Sequence, residues 1–321
     1  MTETQKPTDR LAYTGDLEPL IGQIAEVYGV GTPTSYSVVE VGYEDCNVII
    51  ETDQARYLAK MFAKTRKPEE ITRYTDIMQR VVAAGVSHPE LITTASGEIA
   101  HTESDVSLVL MRFIEGKTFF ELDRAPDDSE RRAILEQAAK INAIDYEPPY
   151  LFDSWAIPNI GSMFERVKQY VEPDDLALVE QVMAQYNVMP VNELPRAFVH
   201  GDFTKTNILK TNDGKIYVLD FSVANRYPRI QELAVIAANL LHNKDDTTTL
   251  QDRCTQVADE YSQFAELTED ERQHLPAYAL AGVAMEFMGA HQEKFINGND
   301  TEETDYWLNL GRSGLRKALH K

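Results

Sequence analysis

The segment Phe198-Val199-His200-Gly201-Asp202-Phe203-Thr204-Lys205-Thr206-Asn207-Ile208-Leu209, followed by Val218-Leu219-Asp220-Phe221, constrains this chain more than any other stretch. It sets a carboxylate at Asp202, an amide five residues later at Asn207, and a second carboxylate at Asp220, eighteen residues after the first. Apolar runs flank both acids and read as strands. Asp213-Gly214, between the inner runs, supplies hairpin turn chemistry. Such residues are ordinary turn formers when met singly, but the three together between strands point to chemistry. Phosphoryl transfer from a nucleotide held by Mg²⁺ needs hard oxygen ligands, which Asn207 and Asp220 offer. It also needs a group that orients the attacking hydroxyl and takes its proton, which Asp202 offers.

The 321 residues suffice for one large or two ordinary domains. With 31 Lys and Arg against 52 Asp and Glu, the net charge is −21. A field of that sign repels nucleic acid and anionic membranes and attracts a cationic substrate; it also serves plain solubility. No apolar run approaches the roughly 20 residues of a membrane helix. Met1 to Arg10 is polar and has no apolar signal core. Two distant cysteines, Cys46 and Cys254, make neither a disulfide framework nor a CxxC metal site. The expected setting is the cytoplasm.

Strand patterns run over 36–41, 47–51 and 56–62, with Thr52-Asp53-Gln54 as a hairpin turn between the last two, and again over 106–114. A helix is expected from Pro68 to about Ala84, with Glu69-Glu70 at its positive end and Gly85 beyond it. After Gly116 the pattern turns helical. Leu135, Ala138 and Asn142 share a face, 160–186 forms a longer helical zone, and Leu233, Ile236, Ala237, Leu240 and Leu241 form another apolar stripe. Thr268 and Glu271 have capping-box spacing.

The motif His200-Gly201-Asp202, four residues, Asn207 and then Asp220 resembles the aminoglycoside phosphotransferase and choline kinase superfamily, small-molecule kinases with a protein-kinase-like fold. The likeness runs from about residue 36 into the C-terminal helices and is strongest over 197–241. It implies an α+β, two-lobed protein-kinase-like fold. A small antiparallel-sheet lobe over 1–114, with 1–15 loosely held, would bind nucleotide in the cleft beside a larger, mainly helical lobe over 115–321. The resemblance implies Asp202 as catalytic base and Asn207 and Asp220 as Mg²⁺ ligands, with His200 and Gly201 shaping the loop. Lys60 would clamp ATP phosphates, the turn from Gly42 to Asn47 would cover them, and Met111, Phe113 and Ile114 would line the adenine site. Glu232 stands where relatives keep a structural Asp.

There are departures from the family pattern. The place of the helix glutamate that pairs with the lysine falls on Tyr74; Asp76, or Glu70 one turn earlier, is the candidate substitute. Asn142 stands where many relatives carry His. Trp155 reads as a core anchor or as an aromatic wall for substrate. Asp300, Glu302, Glu303 and Asp305 read as a solvated acidic loop or as part of an acceptor pocket.

The implied activity is transfer of the ATP γ-phosphate, with Mg²⁺, to a hydroxyl of a small acceptor, cationic or amino-bearing by charge. The alternative is a nucleotide-binding regulator of the same fold with little turnover. A protein kinase is disfavoured by Gly201, where those enzymes carry Arg, and by the lack of an Ala-Pro-Glu segment after Asp220. A metal-dependent hydrolase lacks clustered His ligands.

Overall fold

The computed structural model describes residues 6–40, 42, 44–243 and 247–319. Val41, expected to end the first strand, and Tyr43, expected in the phosphate-covering turn, lie outside the described residues. The chain divides into two compact units, Met1–Gln79 with His88–Glu115, and Arg80–Ser87 with Gly116–Lys321.

The first unit is a sheet with one helix and most of a second. Strands β1 (Pro33–Val38), β2 (Cys46–Thr52), β3 (Arg56–Met61), β4 (Leu91–Ile92), β5 (Ala100–Glu103) and β6 (Val106–Arg112) pair in the order β1-β2-β3-β6-β4, with β5 also on β6, and every ladder is antiparallel. Pro33 opens the edge strand β1, where a missing amide costs no ladder bond. Along β2, Cys46, Val48 and Ile50 alternate into the core. Helix α1 (Leu17–Tyr28) covers them with Leu17, Leu20, Ile21, Ile24 and Tyr28, one face of a 3.6-residue period. Asp16 caps its start by accepting the Glu18 amide at 3.1 Å, and Gly29 ends it at φ +63°.

The terminus expected to be loosely held over 1–15 is docked where it is described. Residues 7–10 form a 3-10 turn, Leu11 is buried in the same core, and the Lys64 amide donates to the Arg10 carbonyl at 2.9 Å. Burial of Leu11 is the physical reason. Helix α2 (Pro68–Ala83) follows β3.

The second unit is mainly helical. Strands β7 (Gly116–Thr118), β9 (Ile208–Thr211) and β10 (Ile216–Val218) form one small sheet, while β8 (Arg196–Val199) and β11 (Asn225–Pro228) form a two-stranded ladder. Around them lie α3 (Asp128–Asn142), α4 (Ile160–Val167), α5 (Pro173–Asn187), α6 (Ile230–Val235) with a π-helical continuation over Ile236–Leu240, α7 (Leu250–Tyr261), α8 (Glu269–His291) and α9 (Glu302–Leu319). The hub is α8. Its residues from Tyr278 to Val283 are buried on all sides, as expected of a helix walled in by others. The Thr268–Glu271 capping box forms, and the same Glu271 takes Arg229 at 2.8 and 2.5 Å. Asp175 in α5 takes Arg312 and Arg316 of α9, each at 2.7 Å.

Helix α9 comes close to α8 at Gly311, where an added Cβ would lie 2.6 Å from the Phe287 backbone nitrogen. Backbone cannot step aside as a flexible side chain can, so Gly311→Ala is expected to cost about 1–3 kcal/mol of stability. A thermal melt of the variant against the parent protein checks this; an unchanged Tm would mean the helices re-pack freely.

Candidate active site

The site of the second unit is made by two nested ladders. Strand β8 pairs with β11, Val199 opposite Asn225, and between them β9 pairs with β10, Ile208 opposite Val218. The connections 200–207 and 219–224 therefore emerge side by side. Two bonds sew them together: the Leu219 amide donates to the Asn207 carbonyl at 2.8 Å, and His200 Nε2 lies 2.8 Å from the Leu219 carbonyl. His200 Nδ1 accepts the Asp202 amide at 3.1 Å. An imidazole that accepts at Nδ1 and donates at Nε2 is neutral. Burial keeps it so, pushing its pKa down to about 4 against the smaller pull of the Leu219 carbonyl and Asp220. Phe221 and Phe203 close its edges, with centroids at 4.5 and 5.3 Å.

On this frame the three expected residues come together. Asn207 Nδ2 donates to Asp202 Oδ2 at 2.6 Å and to the Asp202 carbonyl at 3.1 Å. The amide thus holds the carboxylate with its nitrogen and keeps Oδ1 as its acceptor end. Asp220 has φ +56°, a left-handed conformation uncommon outside glycine, and its Oδ1 accepts the Ser222 amide at 3.1 Å. Gly201, at φ +90°, makes the sharp turn before Asp202.

Among the described residues, no three His, Cys, Asp or Glu side chains gather into a metal cage. An amide oxygen and one carboxylate fit Mg²⁺ nonetheless, because that ion keeps water and takes substrate phosphates for its other positions.

Beneath the loop lie two acids. Glu232 Oε1 accepts the backbone amides of His200 and, at 3.3 Å, Gly201, and so fixes the turn. Its Oε2 makes no hydrogen bond among the described residues. Burial pushes this carboxyl up to about 8, against the two amides that favour its charge. The second acid, Glu286 of α8, is not singled out by sequence. Asn239 Nδ2 donates to its Oε1 at 2.5 Å, and Asn239 Oδ1 accepts the Lys205 amide of the 200–207 loop at 3.1 Å. Burial first, and Asp202 among nearby charges, push Glu286 up to about 7.

Further contacts link the 200–207 loop to Tyr306. The Phe120 amide donates to the Lys205 carbonyl at 3.0 Å, the Phe120 and Tyr306 rings meet edge to face at 5.2 Å, and the Glu286 charge reaches the Tyr306 phenol. Trp155 packs on the α8 backbone at Gly289, one turn beyond Glu286. The acidic cluster at 300–305 is partly paired instead, Lys294 taking Asp300 at 3.0 Å and Asp305 at 2.6 Å. Asn142 bridges the Phe198 carbonyl and the Tyr261 hydroxyl, at 3.1 and 2.9 Å, tying β8 to α7.

In the first unit Lys60 lies on β3 opposite Asn47 of β2, nearly enclosed. Its Nζ is 3.2 Å from Asp45 Oδ2 and 5.8 Å from the centroid of the Tyr74 ring. Asp76, the candidate partner from α2, is exposed and forms no ion pair among the described residues; the acid beside Lys60 comes from the loop before β2. Burial pushes the Asp45 carboxyl up, but Lys60 and Arg66 outweigh it and hold it below the usual carboxylate range. Gly42 turns the preceding loop at φ +108°. Met111 is buried at the end of β6, and the Phe113 amide donates to the Arg56 carbonyl at 3.0 Å, with the Arg56 guanidinium over its ring.

Comparison with known proteins matches this architecture. A family model described as the phosphotransferase enzyme family matches residues 35–267. A homoserine kinase of Rhodopseudomonas palustris (strain BisB5) is 22% identical over 290 residues, spanning 89% of this chain and 87% of that protein. Among solved structures, an amicoumacin kinase in complex with AMP-PNP, Ca²⁺ and Ami superposes with a TM-score of 0.70 at 14% identity, covering 96% of each chain. A microcompartment-associated aminopropanol kinase superposes at 0.67 and 12% identity, over 92% of this chain and 95% of that one. The fold is protein-kinase-like.

Glu232 holds a proton in the folded protein that an ordinary carboxyl releases near 4.5. Its contribution to stability is therefore complete below that value and is lost as pH rises toward about 8. Relative to the parent protein, Glu232→Gln is expected to gain Tm steadily between pH 5 and pH 8; a difference flat in pH would show the carboxyl ionised throughout.

Proposed function

The chain belongs to the phosphotransferase enzyme family, whose members are small-molecule kinases acting on hydroxyl groups, and on that premise we propose that it transfers the γ-phosphate of ATP to the hydroxyl of a small amino-bearing alcohol. The observation that carries the reading is the convergence of Asp202, Asn207 and Asp220 on one sewn pair of loops.

In this reading Lys60 binds phosphate oxygens of the nucleotide by charge-assisted hydrogen bonds. The Phe113 carbonyl and the Ile114 amide meet the adenine edge, since the Phe113 amide is already bonded to Arg56. Asn207 Oδ1 and the Asp220 carboxylate would hold Mg²⁺, which would supply neutralisation of the phosphate charge. Asp202, restrained by the Asn207 amide, orients the acceptor hydroxyl and takes its proton at a carboxylate oxygen. Positioning and fixed charge supply most of the rate gain, as in other phosphoryl transfers.

The acceptor class follows from Glu286. A partly enclosed carboxyl reached through Asn239 from the 200–207 loop, with the Tyr306 phenol within reach of its charge, suits an ammonium group. Two of the relatives are named for amino alcohols of this kind, homoserine and aminopropanol.

The test is ADP release with Mg²⁺-ATP over homoserine, aminopropanol, ethanolamine, choline and amino sugars, each beside its deaminated counterpart. Stimulation by one amino alcohol is expected. Asp202→Asn should lower kcat by about 10² to 10⁴, the range of a general base. Glu286→Gln should raise the acceptor KM by about tenfold to a hundredfold, as loss of a charged hydrogen bond does, with the ATP KM within about twofold. Asp220→Asn should abolish turnover while leaving Tm near the parent value, because Asn also tolerates the left-handed backbone. Nucleotide binding without stimulation by any acceptor would favour the regulator alternative, and equal use of deaminated acceptors would remove Glu286 from the reading.

A further inference from the structure

Lys60 is enclosed, with 5% of its side chain exposed. An ammonium so far from water needs an anion beside it and a fixed direction if it is to meet phosphates. At the α2 position where the family resemblance expects an acid, this chain carries Tyr74, which offers Lys60 a ring face. An acid arrives from elsewhere: Asp45, whose side chain is 1% exposed, at 3.2 Å.

Asp45 is itself held from several sides. Its Oδ1 accepts the Ala63 amide at 3.1 Å and Arg66 Nε at 3.3 Å, its Oδ2 accepts Arg66 Nη2 at 3.2 Å, and its backbone carbonyl accepts Arg10 Nη1 at 3.1 Å. A carboxylate bound at both oxygens and at its backbone cannot follow a wandering lysine; the lysine must come to it. Arg66 also supplies positive charge beside Asp45, so the acid does not leave the cluster anionic toward a phosphate.

We propose that Asp45 is the positioning acid for Lys60, acting from the loop before β2 in place of an acid on α2. The inference rests on the nucleotide-kinase reading above. It makes the loop expected to cover the phosphates and the lysine expected to bind them one mechanical unit, joined at Asp45.

The test is a double-mutant cycle on the full chain, by calorimetric titration with Mg²⁺-AMP-PNP and, separately, with adenosine, which lacks phosphates. Asp45→Asn is expected to weaken AMP-PNP about tenfold or more, as loss of a charged contact does, and to leave adenosine unchanged. In a Lys60→Met background the same substitution should have almost no further effect. Equal loss in both backgrounds, or equal loss of adenosine, would overturn the proposal, since Asp45 would then act on the loop or on the fold and not through Lys60. Should Asp45→Asn give no cooperative melt, Asp45→Asn with Tyr74→Glu decides the matter. A folded protein with restored AMP-PNP affinity supports a positioning acid; an unfolded or non-binding one refutes it. A parent protein that binds neither AMP-PNP nor adenosine would fail the kinase reading itself, a result distinct from all of these.

Discussion

The second unit depends on one neutral imidazole. His200 accepts from the Asp202 amide on one side and donates to the Leu219 carbonyl on the other, so the ring, together with the Leu219–Asn207 backbone bond, holds the loop of Asp202 beside the loop of Asp220. Protonation would turn the accepting nitrogen into a donor facing a donor. The aromatic walls of Phe203 and Phe221 make that protonation costly by keeping water out. The charged chemistry of the loops is therefore held by an uncharged joint.

The same economy extends below the loops. In the proposed mechanism Asp202 and Asp220 act as carboxylates, and two more ionised carboxylates next to them would repel. Burial instead pushes Glu232 and Glu286 upward, Glu232 as a brace for backbone amides and Glu286 as a group that gains its charge most readily when a cation arrives. The longer arm of Glu232, relative to an aspartate, still reaches the His200 and Gly201 amides. In the first unit the logic is reversed: Lys60, Arg66 and the Ala63 amide hold the Asp45 carboxyl below the usual range although it is buried, while Arg10 binds only its backbone carbonyl.

Much of this was legible in the sequence, for local reasons. Alternation in Cys46–Ile50 and Arg56–Met61 gives the sheet, and Asp213-Gly214 gives the hairpin that folds Asn207 back to Leu219. Helix α1 is not among the sequence expectations, although Asp16, the spacing of Leu17, Leu20, Ile21, Ile24 and Tyr28, and Gly29 mark it. Other features depend on partners far away in the chain. Glu286 sits in the apolar run Ala284-Met285-Glu286-Phe287-Met288 and looks like a stray acid until Asn239 links it to Lys205. Asp45 reads as a turn residue because nothing nearby in sequence reveals Lys60, fifteen positions on, as its neighbour. The acids at 300–305 read as a solvated loop or as part of an acceptor pocket, and the sequence does not show that Lys294 holds two of them. Strand β4, two residues long, is too short to leave a periodic trace.

The nested ladders have one more consequence. The seventeen residues between Asp202 and Asp220 are a path measured out along β9 and back along β10. Equal lengthening of both strands would move the Asp213-Gly214 turn outward and leave the two loops where they are. The interval between the acids is thus free to drift among proteins of one geometry, whereas the five-residue step from Asp202 to Asn207, which spans a single loop, is not. A pattern search that fixes the short interval and lets the long one float would follow the physics of the site; one that fixes both would discard sound relatives for the length of a hairpin.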